Sequence, residues 1–215
     1  FIKDNSLREK FDDYITFIIL GIIIGGRLGY VIFYNLDYYL VNPVEIFKIW
    51  NGGMSFHGGL LGVIVMSIWF AKKHSHNSYI YLDIVSLVAP VGIFFGRIAN
   101  FINSELYGKE TTLPWGVKFE KIDEIYRHPS QLYEAFFEGL LLFFILIYFY
   151  KRASAKNPGF ISGIFLIFYS TFRFLIEFLR IPDEQLGYVL FNLSMGQILC
   201  SVFFVFGSYL TLKKL

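Results

Sequence analysis

Six stretches of this chain are long, apolar and almost free of charge, and that pattern limits what it can fold into. Crossing the hydrocarbon of a bilayer takes about 20 mostly apolar helical residues. Residues 14–36 carry one formal charge, Arg27; residues 49–71 carry none; residues 84–104 carry Arg97 alone. Residues 129–150 carry Glu134 and Glu138, residues 157–179 carry Arg173 and Glu177, and residues 185–212 carry none. Stretches of this length satisfy their backbone polar groups as helices, not as barrel strands. The expectation is an all-α, polytopic membrane protein with six transmembrane helices and the lipid bilayer as a partner. Composition agrees: 17% of the 215 residues are charged, against roughly 25% in soluble domains. The single cysteine, Cys200, leaves no disulfide framework or cysteine-based metal site. A net charge of +2 is too small to imply a nucleic-acid partner.

Orientation follows from the basic residues between the spans. Lys3, Arg8, Lys10, Lys72, Lys73, Lys151, Arg152, Lys156, Lys213 and Lys214 fall on one side. Lys48, Lys109, Lys118, Lys121, Arg127 and Arg180 fall on the other. The bias puts both termini in the cytoplasm and 37–48, 105–128 and 180–186 outside. No internal repeat or low-complexity linker divides the chain, so residues 1–215 read as one transmembrane domain. Within it, residues 105–128 form an external head or lid. The sequence opens on Phe1 and a charged segment leading into a full-length span, which is not a cleavable signal peptide.

The charges left inside the spans carry the chemistry. Each costs about 2.5–3.5 kcal/mol at mid-membrane, so each must be paired, snorkelled or used. Arg97 lies in GRIANFINSELYG (96–108), with Asn100 on the same helical face, Gly96 and Ala99 leaving room, and Asn103 and Glu105 following. A guanidinium flanked by carboxamides and a carboxylate suits an anionic, hydroxyl-bearing head group. Arg27 lies in GGRLGYVIFYN (25–35), with Tyr30 and Tyr34 on its face; it is either a ligand residue or a structural arginine held by tyrosine hydroxyls and helix carbonyls. Arg173 and Glu177 form an i,i+4 pair that is either structural or functional. Glu134 and Glu138, also i,i+4, repel unless one is protonated or an arginine from another span joins them.

His57, in NGGMSFHGG (51–59), is either a buried hydrogen-bonding residue or the best base in the chain, since its pKa lies near neutrality. His74 and His76 belong to a solvated loop, and His128 suits a turn before Pro129. There is no HExxH, GxSxG or Walker motif and no ligand spacing for a metal, so neither metal nor other cofactor is expected. Ser55 and His57 point to different faces of a helix, which disfavours an intramembrane protease. An anion transporter explains the arginines equally well but should show paired halves, and none are visible.

Six blocks together resemble the bacterial prolipoprotein diacylglyceryl transferase family. They are GGRLGYVIFYN (25–35), NGGMSFHGGLLGV (51–63), GRIANFINSELYG (96–108), RHPSQLYEA (127–135), FRFLIEFLRIPDEQ (172–185) and SMGQIL (194–199), in order along nearly the whole chain. The resemblance implies a seven-helix fold in the bacterial inner membrane, of which the first helix is missing here, and an active site toward the outer leaflet. It implies transfer of diacylglycerol from phosphatidylglycerol to the lipobox cysteine thiol of a prolipoprotein signal peptide, with release of glycerol 1-phosphate. It places functional positions on His57, Arg97, Asn100, Glu105, Gly108, Arg173 and Glu177. The candidate catalytic residues are then His57, Arg97, Arg173 and Glu177. The candidate lipid-binding residues are Arg97, Asn100, Glu105, Gly108, Arg27 and Tyr34.

Overall fold

The computed structural model describes residues 8–153, 157–181, 188–190 and 193–214, apart from the side chains of Phe56, His57, Ala153, Lys214 and residues 188–190. Its backbone is mostly helical. Five helices among the described residues are long and apolar enough to cross a membrane: Phe11–Tyr34, Ser78–Asn103, Ser130–Arg152, Phe160–Leu179 and Met195–Lys213. Contacts group the chain into two compact units, residues 1–82 and 83–215.

The first unit is built on α1 (Phe11–Tyr34) packed against α3 (Phe56–Lys73), with the short helix α2 (Leu36–Val41) and two 3-10 turns, Pro43–Phe47 and Ile49–Asn51, between them. Gly21, Gly25 and Gly29 recur every fourth residue on α1 and meet Gly58 and Gly62 of α3. A Cβ on Gly25 would lie 2.3 Å from the Gly58 carbonyl oxygen, and one on Gly62 would lie 1.9 Å from that of Gly21. Only glycine permits this backbone-to-backbone approach, the packing that replaces hydrophobic drive within a bilayer. At the other end of the pair, the Tyr14 hydroxyl bonds Ser67 Oγ at 2.9 Å and donates to the Tyr81 carbonyl at 3.2 Å.

The expected span over 49–71 is helical only from Phe56. Gly52 and Gly53 sit at φ 80° and 81°, outside helical geometry, and hold the preceding segment as a turn. Ser55 then caps α3, its Oγ accepting from the Gly58 N–H at 3.2 Å. That role occupies the serine a protease mechanism would need.

The second unit contains α4 (Ser78–Asn103, whose first residues belong to the first unit), α5 (Ser130–Glu134), a π-helical turn Ala135–Leu141, α6 (Leu142–Ala153), α7 (Phe160–Ile176) and α8 (Met195–Lys214). Gly163 and Gly207 repeat the glycine contact between α7 and α8. The 105–128 segment is not helical: β1 (Val117–Lys118) pairs antiparallel with β2 (Tyr126–Arg127). Arg127 hydrogen-bonds Asp123 at 2.6 Å and holds its carboxyl below the usual carboxylate range. The contribution of that pair is therefore present at neutral pH and lost in acid. A second hairpin, β3 (Tyr188–Leu190) with β4 (Leu193–Ser194), occupies the start of the expected 185–212 span, so the helix begins at Met195. The expected all-α fold thus carries two small hairpins.

Asp83 ties the far end of this unit together. Its fully buried carboxylate accepts from the Gly159 N–H (2.7 Å), the Ser162 N–H (2.8 Å) and the Ser162 hydroxyl (2.6 Å). Gly159 has no side chain to cap α7, so α4 supplies the cap across the fold. Asp83→Ala is expected to cost about 3 kcal/mol, from the lost cap and the stranded donors. Thermal unfolding in detergent measures this, and an unchanged midpoint would refute it.

Candidate functional site

Helix geometry brings four intramembrane charges of the second unit to one place. Arg97 near the end of α4 directs Nε to Glu134 Oε2 at 2.7 Å. Arg173 on α7 directs Nη1 to Glu134 Oε1 at 2.5 Å and Nη2 to Glu177 Oε2 at 2.8 Å. Glu134 is 0% exposed and joins the two arginines, one carboxylate oxygen to each. Its position follows from HPSQLYE: Pro129 opens α5, Ser130 Oγ donates to the Leu106 carbonyl and Gln131 donates to the Glu105 carbonyl at 2.6 Å. Those bonds fix the first turn of α5 and hence the direction of Glu134.

Glu138, in the π-helical turn, lies beside the same arginine, 3.9 Å from Arg173 Nη1, and is also fully buried. Glu177 accepts from Ser194 Oγ at 2.9 Å and has Arg180 Nη1 3.9 Å away. Three arginines and three glutamates therefore share a largely buried cluster at the end of the unit that carries the 105–128 segment. Such a group is tolerated in apolar surroundings because each charge has an opposite neighbour.

One cation in this cluster is only partly committed. Arg97 retains 19% side-chain exposure, and Nε is its only nitrogen with an ion pair or hydrogen bond among the described residues. The buried carboxylate of Glu134 holds the guanidinium through Nε, which leaves the Nη atoms to face an anion. On the same helix Asn100 donates to Glu105 Oε2 at 2.9 Å. Ser104 and Leu106 adopt φ 62° and 55°, a left-handed bend that turns the chain out of α4 at Glu105. Gly108 lies where a Cβ would meet the His128 carbonyl oxygen at 2.6 Å and that of Leu179 at 2.8 Å, so it is a close-approach position. Trp115 ties the segment back to α5 by donating to the Tyr133 hydroxyl at 2.9 Å. Tyr133, Phe137, Leu175, Ile176 and Leu179 line an apolar groove in the same unit.

The structure therefore brings together Arg97, Asn100, Glu105, Gly108, Arg173 and Glu177 within the second unit. Arg27, Tyr34 and His57 belong to the first. Arg27 was expected among the lipid-binding residues, yet every guanidinium nitrogen donates to backbone: to Ile46 (2.8 Å), Gly52 (2.5 Å), Gly53 (3.1 Å), Glu45 (2.6 Å) and Lys48 (3.3 Å). It stacks at 5.2 Å over Tyr39 and is 4% exposed. This is the structural alternative, though its carbonyls come from the following loop and not from the helix. Tyr34 stacks on Tyr30 with its ring half exposed. His57 stands in the first turn of α3, and its side chain lies outside the described residues. Sequence reasoning left Glu134, Glu138, Arg180 and Ser194 out of the site. For Glu134 the signal was present, since an i,i+4 glutamate pair in a span requires an arginine partner.

Comparison with known proteins supplies the family. A sequence model of the family described as prolipoprotein diacylglyceryl transferase matches residues 2–213. The phosphatidylglycerol–prolipoprotein diacylglyceryl transferase of Rickettsia bellii (strain OSU 85-389) is 52% identical over 207 residues, covering 96% of this chain and 79% of that protein. That of Rickettsia akari (strain Hartford) is 52% identical over 209 residues, covering 97% and 81%. That of Nitratidesulfovibrio vulgaris (strain DP4) is 52% identical over 207 residues, covering 94% and 76%. With a family match along almost its whole length and an arginine pair set in its apolar helices, this chain belongs to the prolipoprotein diacylglyceryl transferase family.

Proposed function

We propose that Arg97 and Arg173, oriented by Glu134, bind the head-group phosphate of phosphatidylglycerol and stabilise the departing glycerol 1-phosphate. The chain transfers the diacylglyceryl group of phosphatidylglycerol to prolipoproteins, the activity its relatives are named for. The observation that carries the site assignment is the Arg97 guanidinium, fixed through Nε and open at both Nη atoms. Asn100 and Glu105 lie beside it as partners for glycerol hydroxyls, with Gly108 keeping the outgoing chain close. Glu177 holds the second nitrogen of Arg173. The apolar groove at Tyr133 and Leu175 suits an acyl chain.

The nucleophile comes from the substrate. The lipobox cysteine sulfur forms a C–S bond to the glyceryl carbon as the C–O bond to phosphate breaks, and the phosphate leaves with that electron pair. A free thiol titrates at about 8.5, so removing its proton speeds the step at neutral pH. His57 is the base in this reading, because its ordinary pKa suits it. Phosphate charge growing on the leaving group strengthens its bonds to the arginines, which is where rate is gained.

This reading sets the protein in the bacterial inner membrane as a multi-pass protein, with α3 counted as a sixth span and the chain acting as one transmembrane domain. The cluster then faces the outer leaflet and residues 105–128 form an external head. A mass assay with phosphatidylglycerol and a lipobox peptide tests the chemistry. The parent protein should add one diacylglyceryl group, and Arg97→Ala should be about a hundredfold or more slower, in line with the loss of one oriented charge donor. Full activity in Arg97→Ala would end the head-group assignment, and full activity in His57→Gln would end the base assignment.

A further inference from the structure

We propose that residues 43–51 re-enter the membrane after α1 and lay Val44, Phe47 and Trp50 among lipid acyl chains. Arg27 supplies the donors that let non-helical backbone sit there. The inference rests on α1 crossing the bilayer. That helix has 24 residues and carries Asp12 and Asp13 in its first turn. About 20 helical residues cover the hydrocarbon, so the apolar layer runs from roughly Tyr14 to roughly Phe33. The chain leaves α1 at Tyr34 and then returns alongside it. The Ser55 N–H donates to the Gly26 carbonyl at 2.9 Å, and a Cβ on Gly53 would meet the Tyr30 ring at 2.6 Å. Gly26 lies about 12 Å down the helix from Tyr34. The returning backbone therefore runs within the apolar layer, and the start of α3, where His57 stands, lies below the head-group boundary.

Backbone at that depth must have its polar groups satisfied by protein. The N–H groups of Glu45, Lys48 and Asn51 donate within the two 3-10 turns, to the carbonyls of Asn42, Glu45 and Lys48. The carbonyls of Glu45, Ile46, Lys48, Gly52 and Gly53 all accept from the buried Arg27 guanidinium. Water would solvate those carbonyls in a loop above the membrane; one arginine committed to five of them is what hydrocarbon demands. The Glu45 and Lys48 side chains neutralise each other as an ion pair. The outward face is apolar in the matching rhythm. Side chains three apart eclipse on a 3-10 helix. Val41, Val44, Phe47 and Trp50 follow at that spacing and are 69–79% exposed. The segment thus turns its polar backbone inward to Arg27 and a row of large apolar side chains outward, the arrangement a lipid partner requires.

Spin labels on the whole protein in phosphatidylglycerol–phosphatidylethanolamine vesicles test this. In a Cys200→Ala background, labels are placed by Val44→Cys, Phe47→Cys and Trp50→Cys. Ile19→Cys on α1 and Glu124→Cys, whose side chain is 82% exposed, give references. Dissolved oxygen should relax the labels at 44, 47 and 50 strongly and a water-soluble nickel chelate weakly. Their oxygen-to-nickel ratio should exceed that at 124 several-fold and approach that at 19. A ratio as low as at 124 overturns the inference. Labels that the chelate reaches until a lipobox peptide is added also overturn it, in favour of a peptide-binding face. If the chelate reaches position 19 as well, α1 does not cross the bilayer and the inference falls with that reading. A second measurement needs no cysteine. The emission that Trp50→Phe removes should be emission that brominated acyl chains quench in the parent, and unquenched Trp50 emission overturns the inference.

Discussion

Glu134→Ala is expected to abolish transfer and to destabilise the protein by about 3–5 kcal/mol, the cost of stranding buried partners of an ion pair. Among the described residues Glu134 is the only carboxylate paired with both Arg97 and Arg173, one oxygen to each. Without it, Arg97 loses the one ion pair it has among the described residues, and its Nη atoms lose their aim. Arg173 keeps Glu177 on Nη2 and has Glu138 only at 3.9 Å from Nη1. Glu134→Gln separates the two effects. The amide keeps the shape and one acceptor but loses the charge and turns its NH2 toward the other arginine, so it should recover only part of the stability and little of the rate. Transfer rates and thermal midpoints of the two variants decide the matter. Near-parental activity in Glu134→Ala would show that the arginines orient without it.

Gly62→Leu is expected to be comparably severe, by a different route. A Cβ at Gly62 falls 1.9 Å from the Gly21 carbonyl oxygen, and the obstacle is backbone, which cannot rotate away. The helices α1 and α3 must separate, at a cost of about 3 kcal/mol or more, the upper end of overpacking. The reciprocal change Gly25→Leu meets the Gly58 carbonyl oxygen in the same way. Gly92 gives the contrast: a Cβ there meets nothing within 4 Å, so Gly92→Ala should leave the melting midpoint unchanged or raised. Equal midpoints for Gly62→Leu and Gly92→Ala would dismiss the glycine seam.

The candidate site was legible where an isolated residue states its own energetic problem. An arginine in an apolar span demands a partner or a ligand, which singled out Arg97 and Arg173 before any coordinates. The partners were harder to read. Glu134 announced only that it needed an arginine, because i,i+4 spacing tells which residues share a face but not what that face meets. Arg27 went the other way: its neighbours Tyr30 and Tyr34 share its face, yet it bonds carbonyls of residues 45–53 and stacks on Tyr39. Those carbonyls converge because Gly52 and Gly53 turn the chain back, a shape no periodicity encodes. The same two glycines explain why the 49–71 stretch starts its helix at Phe56.

Apolar length and sparse charge were enough to establish a helical membrane protein and to mark the intramembrane ions, because desolvation costs act on each residue wherever it ends up. The motif blocks likewise carried the family. Which arginine keeps nitrogens unbonded among the described residues, and which is consumed in holding a loop, depended on the fold. That distinction rests on donors and acceptors far apart in the chain: Glu134 from α5 between α4 and α7, and Glu45 through Gly53 around Arg27. Hydrogen-bond partners of this kind are chosen by packing, and packing is a property of the assembled helices rather than of any one of them.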